Sequence, residues 1–480
     1  MTTTGKIAII TFMLLLCQTT FSQQLLQAKD RILSKDQMIA DYKILYTTLI
    51  NYHPTPFLYT SESDLNAFFS TQLSTFDDSL TEREFHLIAR KLIVNLKCGH
   101  TFCKPSDEWY SSMAGKNVLL PFNIRRAGNK AFIDNTIDKA IEFVPADEIL
   151  AINDVSIQTI LEEMSNIQER DGYTQSFANE NIIKKFHTYY LFLYPVQDNA
   201  VITFKDKEGN IKRSTVKLSN KRMNTSDNSQ LPERFRTYSK NSWSSLSIDT
   251  TNNNAYLRIK TFSNRNEFRK YYKEVFSIIA DLKSPQLIID LRDNTGGYFG
   301  NGNELLTYLT PNKFEFNFQR PKRKQSKNKY TSIDLMNRLT KLAFSVKPSR
   351  HKSKNQRIHT FTYKPNRPHY DGNINVITNG VTFSQAALVA AHLKHYGATF
   401  YGTETGGAEN ATNSMVNYKL ILPNSRINVF IPYYQIVSNS TNGNIGYGVK
   451  PDIEILPDTD IKRDNVLLQV IELKTSRIDP

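Results

Sequence analysis

The chain has 480 residues, a formal charge of +14 and three cysteines. That length supports two to four domains, and the ordinary apolar content excludes a chain unable to bury a core. Despite the charge, no finger, wing or aromatic–basic module supports nucleic-acid binding. Much of the excess is local. Arg320, Lys322, Arg323, Lys324, Lys327 and Lys329 fall within ten residues and read as a solvated basic insertion. In an exported protein such a segment offers contact with an anionic surface of lipid or glycan.

Residues 1–22 read as a secretory signal. Lys6 is the positive flank, 7–17 is apolar but short for a bilayer span, and Thr20-Phe21-Ser22 is a small-x-small cleavage site before Gln23. The expected product is exported, to the periplasm or the extracellular space. Leu14-Leu15-Leu16 before Cys17 make a poor lipoprotein box, so a lipid anchor is the lesser reading. No later segment is long and apolar enough to cross a membrane. Cleavage leaves Cys98 and Cys103, which an oxidising compartment is expected to pair as a disulfide. Their spacing does not by itself indicate zinc, since only His100 lies nearby as a further ligand.

From 23 to 115 the pattern is helical. Ile32, Ile39, Tyr42, Leu45 and Leu49 recur near multiples of 3.6, until His53-Pro54-Thr55-Pro56 breaks the run. Leu65, Phe68, Phe69 and Leu73 predict a second helix, and Thr81-Glu82-Arg83-Glu84 opens a third that ends near Leu96. His100 then stands in a glycine-containing, non-helical stretch between the two cysteines. It is either an ordinary surface histidine or a general base held in a stiffened loop.

Residues 116–218 read as a module of short strands (122–124, 131–133, and one before the turn at Asn153-Asp154), a helix from Ile157, and a closing hairpin at 198–205 and 211–218. This order is similar to a PDZ domain, which typically receives an extended peptide as an added strand. Residues 219–254, rich in Ser, Asn and Thr, read as a linker or surface excursion.

The C-terminal part, 255–480, alternates strands and helices: strand 255–259, helix 267–282, strand 286–291, then Asn294-Thr295-Gly296-Gly297. Glycines at the carboxyl end of such a strand let backbone approach a ligand. No lysine follows at phosphate-loop spacing. A basic segment near 311–360 interrupts the order, which resumes with strand 373–378, a turn at Asn379-Gly380 and a helix opened by Ser384. Strands at 398–401, 416–422 and 428–432 and a helix at 464–471 close the chain. Ser384 after a strand and before a helix is either an N-cap or a nucleophile beside unpaired backbone N–H groups. His392 and His395, on that same helix, lie too far along it to reach its hydroxyl; His392 is about 12 Å away by helical rise.

Taken in order, Cys98-Gly99-His100-Thr101, the 147–153 run, Asp290-Leu291-Arg292-Asp293-Asn294-Thr295-Gly296-Gly297, Ser384, Thr403-Glu404-Thr405-Gly406-Gly407 and Gly448-Val449-Lys450-Pro451-Asp452-Ile453 resemble the tail-specific, or C-terminal-processing, serine proteases of peptidase family S41. The resemblance implies an α+β multidomain chain: an N-terminal helical region, a PDZ-like module and an α/β core of the ClpP/crotonase-like kind. It implies an exported serine endopeptidase acting on peptide or unfolded protein, with no metal or cofactor. The family's Ser–Lys scheme needs a lysine about 25 residues after the serine; Glu409 stands there, and no lysine lies between Lys394 and Lys419. The Ser–His scheme, like that of the tricorn core, puts Ser384 as nucleophile, His100 as general base, and the amides of Gly296 or Gly297 and of Gln385 in the oxyanion hole. Many relatives carry a glutamate where this chain has Ile445, so the histidine's orienter is left among Asn442, Asn444, Glu404 and Asp452. The alternative is a non-catalytic secreted peptide-binding or scaffold protein with a degenerate protease core.

Overall fold

The computed structural model describes residues 31–475 apart from 129, 138–141, 196, 222, 224–230, 323–327, 347–352, 439–443 and 458–463. The signal-like residues 1–22, Asn442 and the cations Arg323, Lys324 and Lys327 lie outside the described residues.

The N-terminal region starts where side chains can cap helices. Strand β1 (Ile32–Ser34) pairs with β2 (Ser79–Thr81), and each leads into a capped helix. Ser34 and Gln37 form a capping box on α1 (Lys35–Tyr52), and Thr81 and Glu84 another on α3 (Glu82–Val94). Ser61 caps α2 (Glu62–Ser74) between them. Helix α1 stops at Tyr52 because Pro54 follows. Met38, Tyr42, Leu45 and Leu49 of α1 and Phe85, Leu92 and Ile93 of α3 are buried in the same core as the C-terminal domain. The region is therefore an integral layer of that domain. Asp41 fastens it, its carboxylate accepting from the Ser425 N–H (2.7 Å) and hydroxyl (2.6 Å). Strand β3 (Phe102–Lys104) and helix α4 (Asp107–Met113) follow.

The middle module has its own core around Phe122, Phe143, Ile152, Ile160 and Phe204. Its elements are β4 (Phe122–Ala127), β5 (Lys130–Thr136), β6 (Glu148–Ile152), β7 (Val155–Ser156), α5 (Ile157–Asn166), α6 (Ser176–Lys184), α7 (Phe186–Leu193), β8 (Asn199–Lys205) and β9 (Ile211–Lys217). The sheet order is β4-β5-β6-β8-β9, with β7 on β6. The segment from Gln168 to Lys184 keeps Ile182 in this core while Thr174, Ser176 and Glu180 touch the C-terminal domain, a course the strand pattern did not indicate.

In the C-terminal domain a seven-stranded sheet runs β10-β11-β12-β13-β17-β18-β21. Its strands are β10 (Phe235–Lys240), β11 (Ser244–Asp249), β12 (Ala255–Ile259), β13 (Gln286–Asp290), β17 (Asn373–Thr378), β18 (Thr399–Gly402) and β21 (Ile453–Glu454). From β12 to β21 the pairing is parallel, and α8 (Phe268–Asp281), α9 (Phe299–Leu309), α11 (Gln385–His395) and α12 (Asn465–Thr475) accompany it. A second sheet runs β15-β19-β20-β14-β16, from β14 (Phe314–Pro321), β15 (Thr331–Ser332), β16 (Gln356–Tyr363), β19 (Ala411–Ile421) and β20 (Asn428–Ser438), with α10 (Leu335–Val346) beside it.

Two expectations are corrected. The Ser/Asn-rich stretch 219–254 is not wholly a linker, because 235–249 is an antiparallel hairpin on the edge of the main sheet and Trp243 is buried. The segment 311–360 is not merely an insertion. Phe314, Phe316 and Phe318 of β14 are core residues, and β14 bridges β16 and β20. Charge density hid an alternating strand, whose apolar face is read only by its period of two.

Candidate active site

Ser384 stands between the buried strand β17 and helix α11. Its backbone lies at φ +55°, ψ −123°, a region costing a non-glycine residue about 1–3 kcal/mol. Neighbouring bonds hold it there. The Phe383 N–H donates to the Asn294 carbonyl (3.0 Å), and the Thr382 hydroxyl to the Leu291 carbonyl (2.9 Å). The Ser384 side chain makes no capping bond to α11. Its Oγ instead lies 2.9 Å from His100 Nε2.

His100 arrives from 284 residues upstream, and three attachments bring it. Strand β3 pairs antiparallel with β20 in the register Phe102↔Phe430, Cys103↔Val429, Lys104↔Asn428, so the histidine enters two residues before a sheet edge. Arg90 of α3 donates to the Cys103 and Ile167 carbonyls (3.3 and 3.0 Å) and pairs with Glu169 at 2.6 Å, all buried. Asp171, from the segment leaving the middle module, accepts the Gly99 N–H at 2.8 Å. Gly99 has to be glycine: a Cβ there would stand 2.5 Å from the Phe383 ring. That ring stacks on the imidazole at 4.9 Å and on Phe177 of α6 at 4.3 Å. Burial pushes the His100 pKa down to about 4, because imidazolium would lose its water there.

Thr412 of β19 is the group at the other ring nitrogen, its Oγ1 3.3 Å from Nδ1. The two carboxylates proposed as orienters are engaged elsewhere, and Asn444 is exposed. Asp452 pairs with Lys394 and accepts the Phe400 N–H (2.8 Å), fastening α11 to β18. Glu404 accepts the Gly448 N–H (2.8 Å), and Asn444 donates its backbone N–H to Glu409 (3.0 Å). Asn442 lies outside the described residues. Thr412 was missed because the strand was read from 416, whereas β19 begins at Ala411.

The glycine turn touches the serine. A Cβ on Gly296 would stand 2.8 Å from the Gln385 nitrogen and 2.9 Å from Ser384 Cβ. The Gly296 N–H donates to Asn294 Oδ1 (2.9 Å) and is already committed. His392 is a core residue, buried against Phe314 with Nε2 3.1 Å from the Thr310 hydroxyl.

The expected disulfide is absent, and both cysteines are free buried thiols. The turn between them faces them into different surroundings. Cys98 accepts from Asn413 Nδ2 at 3.5 Å, while Cys103 sits in β3 near the Arg90–Glu169 pair. Burial raises the Cys98 pKa to about 11 and that of Cys103 further.

The chain thus joins a PDZ-like module to an α/β domain that holds a strained serine, at a strand–helix turn, beside a histidine. Residues 253–455 match the model of peptidase family S41, and residues 116–234 match that of a PDZ domain. Residues 253–455 are thus a peptidase family S41 domain. Its fold is similar to the crystal structure of mature CPAF, with a TM-score of 0.66 and 14% identity over 91% of this chain and 97% of that one. The structure of mature CPAF complexed with lactacystin is similar at a TM-score of 0.63 and 14% identity, over 92% and 98% of the two chains. No curated protein matches the chain.

Proposed function

We propose that the chain is an exported serine endopeptidase of the tail-specific type, with Ser384 as nucleophile and His100 as general base. The observation that carries this reading is the 2.9 Å contact between Ser384 Oγ and His100 Nε2. With its pKa near 4 the imidazole is neutral at physiological pH and Nε2 is an acceptor. The tautomer that accepts the Ser384 proton carries its own proton on Nδ1 and donates it to Thr412 Oγ1.

Ser384 attacks a peptide carbonyl as Nε2 takes its proton, and the imidazolium returns that proton to the leaving amine. The negative oxygen is held by the N–H groups of Gln385 and Gly297, since that of Gly296 is spent on Asn294. Gly296 serves by bringing that turn against the serine. Thr412 orients the ring without a charge to stabilise imidazolium, so the base is steered more than it is strengthened. The substrate is an extended or unfolded polypeptide, in keeping with the PDZ domain. Among the described residues no helix is long and apolar enough to cross a membrane. The proposed domain plan is a signal at 1–22, the His100-bearing helical layer to 115, the PDZ-like module at 116–218, and the protease core from 255.

The neutral partner at Nδ1 favours a second reading, a peptide-binding relative with a degenerate core. A fluorophosphonate probe separates the two: the peptidase reading expects a covalent adduct on Ser384, located by peptide mass spectrometry and absent in Ser384→Ala. Lactacystin, bound in one of the CPAF structures, is a second probe of the same hydroxyl. A parent protein inert to both while folded would support the binding reading.

A further inference from the structure

Helix α10 is built inside out. Leu335, Met336, Leu339 and Leu342 are 70%, 64%, 51% and 61% exposed, whereas Asn337, Thr340 and Lys341 are half-buried and, among the described side chains of the helix, only Phe344 is buried. These four apolar residues lie at i, i+1, i+4 and i+7, which places them on one outward stripe. Buried hydrophobics alone do not explain this helix, because its sheet-facing side holds Lys341 Nζ 4.6 Å from the Tyr433 ring centroid. A contiguous exposed apolar stripe on an otherwise well-packed domain marks a contact surface.

The charge around it selects the partner. Between positions 320 and 357 thirteen Lys and Arg stand against one acid, Asp334, a local +12 beside +14 for the whole chain. Several of these cations are placed beside the helix. Arg320 lies 4.8 Å from the same Tyr433 ring, Arg320 and Arg357 both act on the Tyr433 phenol, and Arg338 is exposed on α10 itself. Lys341 has its pKa lowered by burial and by Arg320. Among the described ion pairs none neutralises Arg320, Arg338, Lys341 or Arg357; those pairs lie elsewhere on the molecule. A polyanion meets the charge but not the leucines, and a neutral apolar partner meets the leucines but not the charge.

We propose that α10 and its basic surround dock the protein on an anionic lipid bilayer, with Leu335, Met336 and Leu339 entering the headgroup–acyl boundary and Arg320, Arg338 and Arg357 meeting lipid phosphates. An amphipathic helix with an apolar stripe and flanking cations binds by both forces together, and each alone is weak. The helix packs on β19, where Lys341 donates to the Tyr418 hydroxyl farther along the strand that carries Thr412, so docking would hold the candidate centre near the membrane surface. This inference does not depend on Ser384 being a nucleophile.

The test is flotation of purified full-length mature protein with phosphatidylcholine vesicles, with and without phosphatidylglycerol. The expected result is binding to the anionic vesicles only, weakened by salt, and reduced about tenfold or more in Met336→Glu/Leu339→Glu. Both side chains are exposed, so the variant should keep its circular dichroism and thermal midpoint; Met336→Ala/Leu339→Ala gives a milder loss should the charged pair disturb folding. Binding of the double variant equal to the parent's would overturn the proposal, as would no vesicle binding by the parent. Equal affinity for duplex DNA, again unaffected by the leucine changes, would assign the patch to polyanions instead. A parent dimer that the variant dissolves, without vesicle binding, would assign it to a second copy of the chain.

Discussion

The two halves of the candidate centre are built by opposite means. Ser384 is mainly a local construction: a buried strand, a turn, a strained residue and a helix within 373–395, tied to the 291–296 turn by two hydrogen bonds. His100 is an imported one. Its ring is placed by a strand borrowed by the second sheet, a guanidinium clamp from α3, and a carboxylate from the segment leaving the PDZ-like module. Damage to the serine side should therefore act on chemistry alone. Damage to the histidine side should reach the chemistry through the packing of three regions.

The largest effect expected is Ser384→Ala, which should lower turnover of an unfolded protein by at least about 10³-fold while the melting temperature stays near the parent's. Measurable turnover at the parental rate would break the comparison at its local half. Next is Thr412→Val, which removes the partner of Nδ1 while keeping the side chain's shape. A loss of about tenfold in kcat, with KM little changed, is expected from an imidazole free to adopt the wrong tautomer. If the neutral threonine is irrelevant, the variant will match the parent.

A smaller loss, about threefold to tenfold in kcat, is expected for Asp171→Asn, because the amide oxygen still accepts the Gly99 N–H but without charge. Asp171→Ala should be worse, and equal activity in both variants would remove Asp171 from the positioning of His100. Burial raises the carboxyls of Asp171 and Glu180 to about 7. Each then binds its proton more tightly folded than unfolded, so its contribution to stability is full at acid pH and is lost as pH rises through about 7. His100 works in the other direction. Its folded pKa of about 4 is below the ordinary 6.5, so it favours the folded state above that range and loses this contribution as pH falls toward 4. The acid limb of kcat/KM should fall near pH 4, and a limb near 6.5 would show the ring to be solvated. Thermal melts of Asp171→Asn and Glu180→Gln between about pH 4 and pH 8 should show a flatter alkaline decline than the parent.

What was legible in the sequence follows the same division. The Ser384 turn, β12, β13 and β17 were readable because apolar runs, a turn pair and a helix period are local signals. So were the helix opened at Thr81 and the hairpin of β8 and β9, within a residue or two of their ends, whereas Ile32, read with the first helix, lies in β1. The partners of His100 were not. Thr412 and Asp171 lie 312 and 71 positions from it in the chain, and nothing in their neighbours' periodicity says that they converge. The pairing of Cys98 with Cys103 was inferred from proximity in sequence, but a turn followed by a strand turned the thiols apart. Strand β14 was hidden by the cations that share its segment, and those same cations are now the strongest clue to the role of α10.

The most direct test is a kinetic double-mutant cycle on one unfolded protein substrate: parent, Ser384→Ala, His100→Ala and both together. If the hydroxyl and the imidazole work as one unit, each single variant should lose nearly all activity, and the double variant should be little worse than either. Near-parental activity in His100→Ala, or losses that multiply in the double variant, would contradict the assignment of His100 as the base.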